Sequence, residues 1–294
     1  MRSRLTLLML VLLCSVPACA QENANHNHNT AAATPGVADP MVSQDWAKAR
    51  LAKSTRHQEW VKVKNGAREV NSFVVYPEVK TKATAVIVIH EIFGMSDWVQ
   101  SLTDQLAEAG YIAIAPDLLS GMGPNGGGTS SLDRNGVGQA IRDLPPDQIT
   151  ADLNAVFDYV SKLPAANGKV VVTGYCWGGG QSFRYATNNP NIKAAFVFYG
   201  PAPASADGTP DKAALARNKA PVYAFYAGND ERINATLPKT IEAMTELKKT
   251  FEPVTYEGAG HGFMRAGEAP DANEANKKAR DDAWARWKKL LAAI

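Results

Sequence analysis

The sequence predicts an α/β protein with a mostly parallel central sheet and helices on both faces. Residues 83–89 are apolar on both faces of a strand, which is typical of a central strand in a parallel sheet. After this segment, short runs rich in valine, tyrosine and phenylalanine alternate with longer segments of helical periodicity. Strands separated by helices form right-handed βαβ units, and their helices cover both faces of the sheet. A chain of 294 residues suits one such domain with a short appendage.

Residues 1–20 have the pattern of a secretory signal peptide. Arg2 and Arg4 precede an apolar run at residues 5–13, which is followed by small residues. This run is too short for a permanent membrane-spanning helix. Residues 16–19 (VPAC) also resemble a bacterial lipoprotein signal, in which Cys19 would be lipidated and become the first residue. We therefore predict an exported, periplasmic protein that contacts a membrane only if Cys19 is lipidated.

Charge and cysteine content narrow the classes of partner. Removing Arg2 and Arg4 takes the formal net charge from +2 to zero, which indicates no nucleic-acid partner. We expect a monomer.

Cys14 and Cys19 lie in the signal region, so Cys176 is the one thiol of the mature chain and no intramolecular disulfide can form. A lone thiol in an oxidising compartment is either an inert buried residue or a nucleophile.

Residues 21–57 are predicted to be a polar tether with a short amphipathic helix at residues 42–53. The tether is low in sequence complexity up to about residue 39. His26 and His28 could bind a metal weakly, but no further ligand stands at a suitable spacing, so a solvated linker is favoured. The folded domain is predicted to span residues 58–294.

The domain is predicted to begin with two antiparallel edge strands, because residues 60–63 and 70–76 alternate in polarity. The glycine-rich residues 121–131 read as a long loop, either a mobile cover over a pocket or a solvated connection. The other predicted elements are strand 83–89, helix 97–109, strand 111–115, helix 146–163, a strand from residue 169, helix 179–187, strand 194–199, strand 222–227, helix 235–249, strand 254–256 and helix 273–292.

Residues 169–180 (KVVVTGYCWGGG) predict a buried strand that turns sharply into a helix, with Cys176 at the apex. This is the nucleophile-elbow pattern G-x-S-x-G with cysteine in the serine position. The flanking glycines leave room for a strained backbone and for a helix packed close to the strand. At a helix N-terminus the thiol is expected to ionise more easily than usual. Taken alone, Cys176 could equally be a packed core cysteine.

Two further groups follow predicted strands at the same edge of the sheet, where ligands bind in open α/β sheets. Asp230 follows strand 222–227, and His261 follows strand 254–256. With Cys176 they occur in the order nucleophile, acid, histidine, which is the order of the α/β-hydrolase triad. The sequence therefore predicts the α/β-hydrolase fold. Glu231 could replace Asp230 as the acid, and His90 is the other candidate base within the domain.

Each group has a defined role in this hypothesis. Cys176 attacks an acyl carbon, and His261 takes the thiol proton and later returns a proton to the leaving group. Asp230 holds the imidazole in the correct tautomer. The oxyanion is bound by the backbone N–H groups of Trp177 and Ile92, since the second donor of this fold comes from the loop after the third strand.

Five motifs make the chain resemble the dienelactone hydrolase family, which comprises carboxymethylenebutenolidase-like enzymes of the α/β-hydrolase fold. The similarity covers residues 59–290. The cysteine elbow together with EIFG is its specific part, whereas the aspartate and histidine motifs are common to many α/β hydrolases. The motifs are EIFG at 91–94, PDL at 116–118, GYCWGG at 174–179, GND at 228–230 and AGHGF at 259–263.

The resemblance implies roles for three further residues. In the family the glutamate at the position of Glu91 partners the cysteine, and its displacement by substrate helps to generate the thiolate. Alternatively, Glu91 is a buried acid without a catalytic role. Family arginines hold a substrate carboxylate, which implies this role for Arg265 and, in the loop region, for Arg134. A plain surface arginine is the alternative for Arg134, because the surrounding loop departs from the family in length and composition.

Together these features predict an exported cysteine-dependent hydrolase that opens a small-molecule lactone or ester through an acyl-thioenzyme. The chemistry needs no metal and no organic cofactor. Two alternatives stay open at this point. One is a general short-chain carboxylesterase of the same fold, and the other is a non-catalytic tethered binding protein.

Overall fold

The computed structural model describes residues 44–294. The predicted signal peptide, Cys19, the two tether histidines and the tether up to residue 43 lie outside the described residues, so these assignments stay predictions. The predicted N-terminal helix spans Asp45–Leu51 (α1). Within the described residues, no helix has the length and apolarity needed to cross a membrane.

Eight strands form one sheet with the spatial order β1-β2-β4-β3-β5-β6-β7-β8. The strands are β1 (Gln58–Asn65), β2 (Arg68–Val75), β3 (Ala83–Ile89), β4 (Ile112–Pro116), β5 (Ala166–Tyr175), β6 (Ala195–Phe198), β7 (Val222–Ala227) and β8 (Phe251–Tyr256). The β1–β2 and β2–β4 pairs are antiparallel, and the remaining pairs are parallel. The expected mostly parallel sheet is therefore confirmed.

Helices cover both faces of this sheet. They are α2 (Asp97–Glu108), α3 (Arg134–Asp143), α4 (Pro146–Ser161), α5 (Trp177–Asn188), α6 (Lys212–Arg217), α7 (Glu231–Asn234), α8 (Leu237–Glu246), α9 (Phe263–Ala266) and α10 (Glu274–Ala292). Because side chains alternate along a strand, Ile87 enters the core beneath α3, α4, α5, α6 and α8, and Val88 enters the core beneath α1, α2, α9 and α10. The predicted two-faced arrangement is confirmed.

The parallel register brings the ends of several strands to one edge. Strands β3 and β5 are paired up to Ile89 and Gly174, so Glu91 and Cys176 leave the sheet side by side. Strands β7 and β8 also end together, and the segments with the candidate acid and histidine follow them. The fold thus collects the candidate groups at a single edge.

Four helices, α3, α6, α7 and α9, are absent from the sequence-based prediction. Helix α3 contains Gly136 and Gly138, which weaken a helical pattern. It forms because Asp133 caps its first turn and because three apolar residues at helical spacing are buried. These residues are Val137, Ala140 and Ile141. Arg134 is therefore the first residue of a helix, and its predicted location in a loop is wrong.

Two strands begin three residues before the predicted position. Strand β5 begins at Ala166 and β8 at Phe251. In β8 the proline at position 253 argues against a strand, yet β8 lies at the edge of the sheet, where a missing backbone donor is tolerated.

Candidate active site

Cys176 occupies the apex of a strained turn between β5 and α5. Its backbone has φ 56° and ψ −118°, in a region that non-glycine residues rarely adopt. The neighbouring glycines are required by space. A Cβ at Gly174 would lie 1.9 Å from the Gly178 oxygen, and a Cβ at Gly178 would lie 2.3 Å from the His90 oxygen. The sequence therefore packs α5 against the ends of β3 and β5 and holds the thiol outward.

Two backbone donors converge on the sulfur of Cys176. The N–H groups of Trp177 and Ile92 both act on it and favour its ionised form. Trp177 opens α5, and Ile92 lies in the loop after β3, so the two donors come from different elements. These are the two donors expected from the sequence, and an oxyanion hole is built from donors of this kind.

The expectation that the thiol ionises easily is wrong. Burial and the negative charge of Glu91 raise the pKa of Cys176 to about 11, against the opposing effects of the two N–H groups and of Arg232. Burial outweighs the helix N-terminus because the thiolate loses its hydration. With this pKa, about one thiol in ten thousand is ionised at neutral pH. The nucleophile therefore requires a base or a change of its surroundings.

His261 is paired with Asp230. Their Nδ1 and Oδ2 atoms are 2.5 Å apart, and the Asp230 side chain is buried, whereas about a third of the His261 side chain is exposed. Because a carboxylate can only accept, Nδ1 donates and Nε2 remains available as an acceptor. The two loops are joined by a hydrogen bond from the Asn229 N–H to the Ala259 oxygen, 2.9 Å. Glu231, the alternative acid, is exposed at the first residue of α7.

Glu91 and Arg265 form a second buried pair beside the thiol. Arg265 Nε donates to Glu91 Oε2 at 2.7 Å, and both side chains are largely buried. The guanidinium also lies 5.3 Å from the centre of the Phe93 ring. Burial lowers the pKa of Arg265, but the charge and hydrogen bond of Glu91 outweigh it and raise that pKa overall. The sequence anticipates both residues here, but it assigns Arg265 to a substrate carboxylate and not to Glu91.

His90, the other candidate base, is fully buried and has a partner at each ring nitrogen. Its Nδ1 lies 2.8 Å from the backbone carbonyl oxygen of Glu91, and its Nε2 lies 3.4 Å from the backbone nitrogen of Leu118. Burial lowers the pKa of His90, although the charge of Asp117 opposes this effect. The ring is therefore neutral and has no nitrogen available for substrate.

The end of the glycine-rich segment is fixed to the loop that carries Glu91. The Asp117 carboxylate accepts hydrogen bonds from the Thr129 N–H and hydroxyl, each at 2.8 Å. The Thr129 hydroxyl in turn accepts from the Met95 N–H at 3.1 Å. This anchoring favours a fixed wall over a mobile cover. Arg134 lies beyond this point, exposed at the start of α3, and its contact with substrate stays a prediction.

Two residues near the thiol are missed by the sequence analysis. Tyr199 is buried with φ 40°, and its ring centre lies 5.1 Å from that of His261. Within residues 44–294 its hydroxyl has no hydrogen-bond partner. Arg232 is exposed on α7 and acts on the charge of Cys176. Both follow strand ends, so their position at the carboxyl edge of the sheet is the signal that could have found them.

Residues 44–294 contain no group of three or more histidine, cysteine, aspartate or glutamate side chains that could hold a metal ion.

Comparison with known proteins places the chain in a family. The sequence matches the dienelactone hydrolase family over residues 70–294. The chain belongs to the dienelactone hydrolase family. A Saccharolobus solfataricus protein named "Putative carboxymethylenebutenolidase" is 31% identical over 262 residues, which covers 78% of this chain and 96% of that protein. An Escherichia coli K12 protein of the same name is 31% identical over 206 residues, which covers 68% of this chain and 73% of that protein.

Solved structures of dienelactone hydrolases share the fold. The structure titled "Putative Dienelactone Hydrolase" from Klebsiella pneumoniae superposes with a TM-score of 0.70 at 25% identity, over 82% of this chain and 100% of that chain. The dienelactone hydrolase of Anabaena variabilis has a TM-score of 0.56 at 17% identity, over 78% and 96% of the two chains, and supports the fold alone. The predicted α/β-hydrolase fold is confirmed, and so is a family of hydrolases that act on ester or lactone bonds.

Proposed function

We propose that this member of the dienelactone hydrolase family is an exported, cysteine-dependent enzyme that opens a lactone or ester through an acyl-thioenzyme. The observation that carries the proposal is the convergence of the Trp177 and Ile92 N–H groups on the sulfur of Cys176. A sulfur held between two backbone donors is placed to attack a carbonyl while both donors bind the resulting oxyanion. Export rests on the signal-peptide pattern alone.

The first step removes the thiol proton. In the resting arrangement the thiol is protonated, and the Glu91 carboxylate is occupied by Arg265. A substrate carboxylate that pairs with Arg265 would release Glu91, whose carboxylate then accepts the thiol proton. The thiolate attacks the carbonyl, and a C–S bond forms. This sequence makes ionisation depend on substrate, which suits a thiol whose pKa is about 11.

The remaining steps use His261 and water. Collapse of the tetrahedral oxyanion breaks the C–O bond, and the leaving oxygen receives the proton held by Glu91. In a lactone that oxygen stays attached to the acyl chain. His261 then takes a proton from water as the water oxygen attacks the thioester, the C–S bond breaks, and the histidinium returns its proton to the departing sulfur. Asp230 stabilises the charged imidazole during these transfers.

The substrate class follows from the charges at the site and from the relatives. The relatives named carboxymethylenebutenolidase and the partial exposure of Arg265 support a lactone that carries a carboxylate. The pairing of Arg265 with Glu91 supports a second candidate, a general short-chain carboxylesterase, because a compensated arginine offers little charge to a substrate. Comparing kcat/KM for carboxylate-bearing and neutral esters separates the two, since a flat profile would favour the esterase.

Mass spectrometry after mixing with p-nitrophenyl acetate tests the nucleophile. We expect an added acetyl group on Cys176 in the wild type and none in Cys176→Ala, with release of p-nitrophenolate lost in parallel. Ser101→Ala serves as a control, because the Ser101 hydroxyl is buried on α2 without a hydrogen-bond partner within residues 44–294. Full turnover by Cys176→Ala would refute the proposal. Binding of ester without any acyl-enzyme would indicate a non-catalytic binding protein.

A further inference from the structure

We propose that His90 is a positioning residue of the oxyanion hole, in which its neutral imidazole fixes the peptide group that carries the Ile92 N–H. The inference rests on the proposed acyl-thioenzyme mechanism. His90 follows β3 directly and has no exposed surface. It therefore acts from behind the site and does not touch the substrate.

The hydrogen bonds of the His90 ring allow one protonation state. The backbone carbonyl oxygen of Glu91, 2.8 Å from Nδ1, can only accept, so Nδ1 carries the proton. The Leu118 N–H, 3.4 Å from Nε2, can only donate, so Nε2 is the acceptor. A charged ring would also carry a proton on Nε2, which would then face the Leu118 N–H, another donor. The geometry thus selects the neutral Nδ1–H tautomer, and burial of the ring acts in the same direction.

The bond at Nδ1 controls the direction of the Ile92 N–H. The Glu91 carbonyl and the Ile92 N–H belong to the same peptide unit. A trans peptide is planar, and its C=O and N–H point in opposite directions. The His90 ring and the Gly94 N–H, 3.1 Å from the same oxygen, hold the Glu91 carbonyl on one side and so aim the Ile92 N–H towards Cys176 on the other, where it favours the thiolate. Hydrogen bonding to the carbonyl also polarises the peptide and strengthens its N–H as a donor.

The same ring contacts the residue that supplies the second donor. The His90 and Trp177 rings are stacked, with centres 5.4 Å apart and planes 19° apart. The His90 carbonyl meanwhile packs against Gly178, where a Cβ would come within 2.3 Å of the oxygen. One buried side chain therefore links both oxyanion donors, although they belong to separate elements.

Two reactions of Cys176 separate this role from a merely structural one. Acylation by p-nitrophenyl acetate forms an oxyanion, whereas alkylation by iodoacetamide displaces iodide and forms none. Both rates depend equally on the fraction of thiolate. The ratio of the acylation rate constant to the alkylation rate constant, measured at one pH, therefore reports the oxyanion hole. Wild type, His90→Leu, His90→Gln and His90→Asn are compared.

We expect the ratio of the acylation to the alkylation rate constant to fall about tenfold to a hundredfold in His90→Leu. This loss is at most the rate loss caused by removing one oxyanion-hole donor. His90→Asn should stay within about threefold of wild type, because an asparagine amide can place a donor where Nδ1 stands. His90→Gln offers a group nearer the Nε2 position and should resemble His90→Leu. Tyr185→Phe, which removes a buried hydroxyl bonded to Leu153 and Asn154 far along α5, should lower Tm without changing the ratio.

An unchanged ratio in His90→Leu would overturn the inference, and so would an equal loss in His90→Asn and His90→Leu. These outcomes differ from failure of the proposed function, in which the wild type itself would form no acyl-enzyme on Cys176.

Discussion

Two buried glutamate–arginine pairs in this protein have nearly the same dimensions and different surroundings. Glu91–Arg265 and Glu268–Arg280 both have a shortest N–O distance of 2.7 Å, and each glutamate side chain is at most 5% exposed. Glu268 accepts from Arg280 Nε and Nη2 and also from the Gln105 amide. Within the described chain, Glu91 accepts one side-chain hydrogen bond, from Arg265 Nε.

The difference indicates which pair can change during a reaction. A carboxylate with several partners loses more on separation than one with a single partner. Glu91 also lies beside a thiol whose pKa it raises, so any movement of Glu91 alters the charge of the nucleophile. We infer that the pair at Glu268 stabilises the fold, whereas the pair at Glu91 regulates Cys176.

A further pair at the site, Asp230–His261, gives the largest expected effect on kcat/KM. Asp230→Asn should lower kcat/KM about a thousandfold or more, because the imidazole loses the acceptor that fixes its tautomer. Glu231→Gln is the matched control and should change kcat/KM less than about twofold, since Glu231 is exposed and its neighbour already holds the histidine. Equal losses in both variants would contradict the assignment of Asp230.

Glu91→Gln and Glu268→Gln test the comparison directly. Glu91→Gln leaves Arg265 without its buried counter-ion and should lower the free energy of unfolding by about 3–5 kcal/mol in chemical denaturation. Glu268→Gln should lower it by a smaller amount, because Arg280 keeps an ion pair with Asp281 at 3.0 Å. Only Glu91→Gln should also change Cys176. Because the Glu91 charge raises the thiol pKa, its removal should lower that pKa below about 11 and speed alkylation by iodoacetamide near pH 8 about tenfold.

Turnover should change in the opposite direction to alkylation. Glu91→Gln is expected to lower kcat for a carboxylate-bearing lactone, because the glutamine cannot accept the thiol proton. A more reactive thiol in a slower enzyme is a combination that a purely structural role does not produce. An unchanged pH profile of alkylation would leave Glu91 with a structural role like that of Glu268.

Much of the fold is readable from the sequence because its central strands are apolar on both faces. Strand β3 is buried at every position, and its bounds are predicted as observed. Helix α3 is missed because two glycines weaken its pattern, while its N-cap and its tertiary contacts stabilise it. Local pattern therefore fails where tertiary packing decides.

The candidate site can be predicted from the sequence only in part. Strand ends of a parallel sheet meet at one edge, so the positions of Cys176, Asp230 and His261 after their strands place all three at that edge. The pairing of Glu91 with Arg265 joins residues 174 positions apart, and no local signal specifies it. The direction of the Cys176 pKa shift depends on burial, which outweighs the helix N-terminus that the sequence does reveal.

The pH dependence of the free energy of unfolding is a further test of the difference between the Glu91–Arg265 and Glu268–Arg280 pairs, with a smaller expected effect. The pKa of Cys176 is about 11 in the folded protein and about 9 when unperturbed. Between these values the unfolded thiol ionises while the folded thiol stays protonated. Stability should therefore fall by about 2 kcal/mol as pH rises from 9 to 11.

Cys176→Ser lacks this contribution, so the difference in unfolding free energy between wild type and Cys176→Ser isolates it from the tyrosines that titrate nearby. Repeating the comparison in Glu91→Gln should shrink the window, because the folded pKa is lower there. In Glu268→Gln the window should keep its width. A constant difference across pH 9–11 would show that the folded and unfolded thiols titrate together.

The smallest expected effect concerns Tyr199, which packs against His261 and lies near both charged residues at the thiol. Its buried hydroxyl has no partner within residues 44–294, so Tyr199→Phe removes no hydrogen bond of the described structure. We expect a change within about 0.5 kcal/mol in unfolding free energy, since an unpartnered buried group gains nothing from its polarity. Steady-state kinetics should stay within about threefold of wild type. A tenfold loss of kcat with unchanged stability would instead assign the hydroxyl to the substrate or to Glu91 once Arg265 has released it.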